Sequence, residues 1–171
     1  MYWKDYSLID CGGQEKLERF GKYILRRPEP QAIWSKQADE KIWNQYDALY
    51  MRSSDQSSGW SFKSKPLSPW WISYESLQIK LQCTSFGHVG IFPEQESNWQ
   101  LLTEIIKQKK SQRILNLFAY TGMASLVAKA VDAEVYHVDA VNNMILWAKE
   151  NMEQSGLSDI HWVTEDAFKF L

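Results

Sequence analysis

Residues 113–122 read Arg113-Ile114-Leu115-Asn116-Leu117-Phe118-Ala119-Tyr120-Thr121-Gly122, an apolar run entering a tight turn with one glycine. The pattern predicts a strand, a turn and then a helix. Ile114 to Phe118 is nearly all apolar and is expected to be buried on both faces. Thr121 is the expected cap of the helix that follows, whose apolar stripe is Ala124, Val127, Ala128 and Val131. Val135 to Val138 gives a second short strand ending at Asp139, and Ile160 to Thr164 a third, followed by Glu165-Asp166-Ala167. Between them Asn142 to Ser155 predicts a helix with Met144, Ile145, Ala148 and Met152 facing inward. Gly156 stands where a left-handed residue closes such a helix, and Leu157 can pack back on Met152. Strands alternating with helices through short connections imply right-handed crossovers and a parallel sheet. Open α/β sheets bind ligands at the C-terminal ends of their strands, so these three ends should converge on one crevice.

Upstream, Pro93 suits the first position of a helix. Trp99, Leu102 and Ile106 lie on one face of it, with Leu101 and Ile105 beside them. Glu94 and Glu96 sit in its first turn and Lys107, Lys109 and Lys110 in its last, which complements the helix dipole. That lysine cluster reads as a solvated helix end rather than an RNA contact. Before residue 92 the pattern changes to short strands and turns. Tyr6 to Asp10 is a strand closed by Gly12-Gly13. Lys16 to Arg27 reads as two strands bent at Gly21, ended by Pro28-Glu29-Pro30. Ile42 to Met51 shows helical spacing, and Ser53 to Gly59 is a polar loop. Gly59 to Phe62 alternates, and Trp71 to Leu81 suggests a strand pair turning near Glu75-Ser76. The expected organisation is a mostly antiparallel β region over 1–91 and an α/β region over 92–171.

Hydrophobic residues make up 44% of the 171 and charged residues 23%, which is a globular balance and not a disordered one. The net charge of −2 carries no global nucleic-acid signature, so any such contact must come from a local patch. The nine tryptophans, mostly in the first hundred residues among Arg and Lys, could stack on bases. Filling the core of a small β domain is the preferred reading. Cys11 and Cys83 form no CxxC, and His88, His137 and His161 lie near no second ligand at metal spacing, so no metal is expected. Neither a signal-peptide core nor a membrane-length apolar run occurs, and the expected location is the cytoplasm.

The turn Phe118 to Gly122 is not GxGxxG, the pattern that lets backbone approach a pyrophosphate. Aromatic residues occupy it, and a dinucleotide would find little room. A nucleoside cofactor without phosphate, such as S-adenosylmethionine (SAM), does not need those glycines. Asp139 stands about the expected twenty residues past the turn, where a carboxylate can accept both ribose hydroxyls. It can equally be a helix N-terminal acid. Asp166 can accept from an adenine amino group while the Ala167 N–H reaches a ring nitrogen. Asp166 can also be an N-cap.

Leu115 to Gly122, His137-Val138-Asp139-Ala140 and Trp147-Ala148-Lys149-Glu150-Asn151 resemble class I SAM-dependent methyltransferases, within them the large-subunit ribosomal RNA cytosine-5 group. So does Gly90-Ile91-Phe92-Pro93-Glu94-Gln95. Leu17 to Gly21 and Pro30 to Trp34 resemble the amino-terminal extension of a bacterial methyltransferase subfamily. The resemblance implies a Rossmann-like domain, SAM as cofactor and RNA, ribosomal RNA in particular, as substrate. It places Asn116 and Phe118, Ala119, Tyr120, Thr121 and Gly122 at the amino-acid end of SAM, with Gln95 helping there, Asp139 at the ribose, and Asp166 with Ala167 at the adenine. The family's later Asp-Pro-Pro-like motif and its cysteine nucleophile have no counterpart here, and Cys11 and Cys83 match no motif. The catalytic residues are therefore unassigned. The expectation is the first half of the SAM-binding domain, inactive alone and prone to self-associate through an exposed sheet edge. The alternatives are a non-catalytic RNA- or protein-binding module with a vestigial SAM lobe, and an NAD-type oxidoreductase, which the missing glycines disfavour.

Overall fold

The computed structural model describes residues 3–52, 58–109 and 112–171. The chain divides into two compact units, one of Met1–Tyr74 with Leu81–Val89 and one of Glu75–Lys80 with Gly90–Leu171.

The first unit carries a five-stranded sheet of β1 (Tyr6–Gly12), β2 (Glu15–Phe20), β3 (Tyr23–Pro28), β4 (Ala48–Met51) and β5 (Gly59–Phe62), in that order across the sheet. All its pairings are antiparallel except β3 with β4, which is parallel. Gly21, at φ +61°, turns β2 into β3. A Cβ there would lie 3.2 Å from Ile72 Cγ2. Leu17, Phe20, Leu25, Trp43 and Ile72 are buried, and Trp3 and Trp70 with them, so tryptophan does fill this core.

The helical spacing over 42–51 is not realised. Only Glu40–Trp43 (α1) is helical, and Ala48–Met51 is a strand. Asp47 explains the change: its Oδ2 accepts from Ile24 N at 2.7 Å while its own N–H donates to Ile24 O. That clamp draws the segment into register beside β3, with Leu25 opposite Ala48. Tertiary pairing here overrides local periodicity. The polar-loop reading of 53–57 and the placement of Lys110 lie outside the described residues.

Asp10 organises the segment after β3. Its carboxylate accepts from Cys11 N, Gln37 N, Ala38 N and Trp43 Nε1 at 2.8–3.0 Å. Burial opposes its ionisation, but these hydrogen bonds outweigh that and hold it below its ordinary 3.8. A depressed folded pKa contributes stability that is fully present above pH 3.8 and is lost as pH falls through the folded value. Asp10→Asn should therefore lower the melting temperature at pH 7, and the gap to wild type should close in melts taken progressively below pH 4, roughly. A gap independent of pH would remove the carboxylate charge as the cause.

Trp70–Tyr74 (β6) belongs to the first unit, and most of Leu77–Leu81 (β7) to the second. Glu75, at φ +51°, turns the chain between them. The second unit continues with a 3₁₀ turn at Pro93–Gln95 that leads into α2 (Glu96–Gln108). Then come β8 (Arg113–Leu117), α3 (Met123–Lys129), β9 (Glu134–Asp139), α4 (Asn142–Gln154), β10 (Ile160–Thr164) and α5 (Ala167–Phe170). The three strands are parallel in the order β10-β9-β8. Gly156, at φ +67°, closes α4, and Leu157 N donates to Met152 O at 3.1 Å. The segment 75–80 is tied to α4 through Lys80 N to Asn151 Oδ1, at 2.8 Å, and Trp147 Nε1 to Lys80 O, at 3.0 Å.

Two expectations need correction. β8 is not buried on both faces: it is the outermost strand of this sheet, and Leu115 is 44% exposed. Thr121 does not cap α3. Gly122 holds that position at φ +92°, and the Thr121 hydroxyl donates instead to Gly90 O.

Candidate functional site

The β8–α3 turn is the most contorted backbone of the second unit. Phe118 and Tyr120 both have φ +53°, and Gly122 has φ +92°. Left-handed backbone costs an L-residue about 1–2 kcal/mol, so two such non-glycine positions need support. Strain of this kind gathers at functional sites. The support comes from β9. Ala119 N donates to Val138 O at 3.0 Å, and Tyr120 N donates to Asp139 Oδ2 at 2.8 Å. Asp139 Oδ1 accepts from Val141 N at 2.9 Å. One carboxylate thus fixes the β8 turn and the entry to α4. Gly122 must be glycine for space as well, since a Cβ would stand 2.9 Å from the Ala148 Cβ.

Beside this turn lies a cavity of about 330 Å³, lined by residues 91–95 except Pro93, by 99 and 116, and by 118–124. Gln95, Asn116, Phe118, Ala119, Tyr120, Thr121 and Gly122 all border it. Asp139, Asp166 and Ala167 do not, although the three strand ends are joined: Glu165 N donates to Asp139 O at 3.2 Å, and the Phe118 and Phe168 rings meet edge to face at 6.1 Å. The two carboxylates thus stand at the neighbouring strand ends and not in the cavity wall.

Asp166 is the N-cap of α5, its Oδ1 accepting from Phe168 N and Lys169 N at 3.0 and 3.2 Å. The capping reading therefore holds, and the adenine reading requires the other oxygen. Ala167 N donates to no group among the described residues. Gln95 Oε1 accepts from Asn98 Nδ2 at 2.8 Å.

Phe92 and Trp99 also line the cavity, and the Phe92 and Tyr120 rings lie 5.4 Å apart. The sequence places Trp99 only on a helix face; its position on the first turns of α2 after Pro93 is the signal for a place in the cavity wall. Behind the wall, Asn116 Nδ2 donates to Ser125 Oγ at 2.9 Å, and Ser125 Oγ lies 3.0 Å from His137 Nδ1. Ser125 and His137 are fully buried, and among the described residues His137 Nε2 makes no hydrogen bond of normal geometry. Burial pushes His137 down to about 4, against the pull of the Asp139 carboxylate and the Tyr120 backbone, so the ring is neutral near pH 7. The sequence shows His137 only within the His137-Val138-Asp139-Ala140 motif, and it does not single out Ser125.

Cys11 and Cys83 are free thiols, and burial raises Cys83 to about 11. Both belong to the first unit, and neither borders the cavity. Among the described residues no group of His, Cys, Asp and Glu could hold a metal ion, and no helix is long and apolar enough to cross a membrane.

No family model matches the chain. Over 139 residues it is 27% identical to a ribosomal RNA large subunit methyltransferase K/L of Magnetococcus marinus, covering 81% of this chain and 17% of that protein. Over 82 residues it is 39% identical to the protein of the same name from a Shewanella species, covering 47% of this chain and 11% of that one. The crystal structure of a SAM-dependent methyltransferase from Agrobacterium tumefaciens superposes with a TM-score of 0.90 at 42% identity, over 97% of this chain and 54% of that one. A Streptococcus mutans structure shares the fold, with a TM-score of 0.75 at 16% identity, over 97% of this chain and 47% of that one. The chain thus spans about half the length of these two structures and under a fifth of the curated relatives. Its α/β fold is one found in SAM-dependent methyltransferases.

Proposed function

We propose that this chain is the cofactor-binding part of a SAM-dependent methyltransferase that acts on RNA. The observation that carries the reading is the cavity at the C-terminal end of β8, walled by the aromatic turn and braced by Asp139. The residues present suit SAM. Phe118 and Tyr120 leave no glycine cradle for a pyrophosphate, Asn116 brings an amide to the cavity, and each Asp139 oxygen keeps a lone pair beyond its backbone bond. Gln95, Asn116 and Phe118 to Gly122 would hold the amino-acid end, Asp139 the ribose, and Asp166 with the Ala167 N–H the adenine. When bound, SAM supplies an activated methyl group. The chain's own work is to grip and orient the cofactor. RNA as the substrate class is supported by the ribosomal RNA methyltransferase names of the curated relatives.

The test is calorimetry with S-adenosylhomocysteine and NAD, followed by methyl transfer from labelled SAM to ribosomal RNA in the intact protein. Preference for NAD would overturn the cofactor reading, and methylation confined to protein or small molecules would overturn the RNA reading. Asp166 gives a finer check. Asp166→Asn keeps an acceptor for Phe168 N and Lys169 N, so the melting temperature should hold. S-adenosylhomocysteine affinity should fall about fivefold through the weaker acceptor. A lowered melting temperature with unchanged affinity would leave Asp166 a helix cap alone.

A further inference from the structure

Asn116, Ser125 and His137 come from three successive elements and form one buried chain. Asn116 and His137 are direct neighbours across the parallel β8–β9 pair. Ser125, on the first turn of α3, reaches both. An Asn amide nitrogen only donates, and a serine hydroxyl carries one proton. With Asn116 Nδ2 donating to Ser125 Oγ, that proton has His137 Nδ1 as its acceptor, and among the described residues the hydroxyl has no other. The neutral imidazole then carries its own proton on Nε2. This direction, with the ring proton on Nε2, turns Oδ1 of the Asn116 amide toward the cavity; with the proton on Nδ1 the chain would run the other way and turn Nδ2 there. Asn116 borders the cavity, and its Oδ1 accepts from no described residue.

We propose that Ser125 and His137 are positioning residues that hold the Asn116 amide with Oδ1 toward the cavity, where it accepts from the ammonium group at the amino-acid end of the cofactor. This rests on the SAM reading above and adds the atom and its two supports. A flipped amide would present Nδ2 to the ammonium, donor against donor. It would also require the Ser125 hydroxyl to turn and donate to Oδ1, with the His137 ring proton moved to Nδ1.

The test uses two probes on the intact protein: S-adenosylhomocysteine, and 5′-methylthioadenosine, which lacks the amino-acid end. Ser125→Ala suits a helix and removes the hydroxyl, leaving Asn116 Nδ2 and His137 Nδ1 without their shared partner. It should weaken S-adenosylhomocysteine about tenfold and leave 5′-methylthioadenosine unchanged. In an Asn116→Ala background the same substitution should have no further effect on S-adenosylhomocysteine, since the two act as one unit. Equal loss for both probes would make Ser125 merely structural and overturn the proposal, as would no loss for either. A folded wild type that binds neither probe would overturn the cofactor reading itself, and this proposal with it.

Discussion

Asp139→Ala should weaken binding of S-adenosylhomocysteine by about 1.5–3 kcal/mol, the range for hydrogen bonds to a charged group. Two losses add in the same direction. The ribose diol would lose an ionised acceptor. The turn would lose the bond from Tyr120 N that holds a left-handed aromatic residue in place. Asp139→Asn separates them, because an amide keeps one oxygen for a backbone N–H but no charge for the diol. It should fall between wild type and Asp139→Ala, with a melting temperature nearer to wild type. Calorimetry on the three proteins is the measurement. Equal affinity in wild type and Asp139→Ala would take Asp139 out of the site and leave it a brace for the turn and for Val141.

The second unit was largely legible because its signals are local. A run of apolar residues ending in a polar one located β9 and β10, and the structure ends them at Asp139 and Thr164. Gly156 stopped α4 where its left-handed backbone requires it. The β8 turn announced itself by the wrong residues for a pyrophosphate. What failed depended on partners distant in sequence. Asp47 recruits 48–51 into a sheet through Ile24, and no periodicity within 42–51 contains that information. Thr121 has the right chemistry and position for a cap, yet Gly90 lies 31 residues away and takes its hydroxyl. At Gly90 itself, φ is +103° and a Cβ would fall 2.4 Å from the Trp147 ring, a crowding no spacing reveals. His137 was visible as part of a motif, but its neutral, buried state follows from packing between β8, α3 and β10. Its ring lies 4.7 Å from that of Trp162.

The first unit holds a feature of the same long-range kind, and the largest expected effect on stability belongs to it. Glu18 is 1% exposed and Arg27 6%. Arg27 Nε and Nη2 donate to Glu18 Oε2 at 3.0 and 2.6 Å, and Nη1 donates to Gly87 O at 3.2 Å. Glu18 Oε1 accepts from Tyr6 OH at 3.1 Å, and the guanidinium lies 5.5 Å from the centre of the Phe20 ring. Glu18 is the carboxylate that faces the Arg27 guanidinium, while Glu18 Oε1 also lies 3.7 Å from Lys16 Nζ. Glu18→Ala strands the guanidinium beside aromatic and backbone groups and should cost about 3–5 kcal/mol. That is a large share of the roughly 5–15 kcal/mol that holds a domain folded. Replacing both residues together, Glu18→Leu with Arg27→Met, removes the stranded charge and should recover most of the loss. Urea melts of the single and double variants decide it: a single-variant loss below about 1 kcal/mol would mean the pair behaves as a surface ion pair. Every residue that lines the cavity belongs to the second unit. S-adenosylhomocysteine affinity, measured where Glu18→Ala is still folded, should therefore match wild type even as its stability falls. A matching drop in affinity would show that the frame around Glu18 also supports the cofactor site.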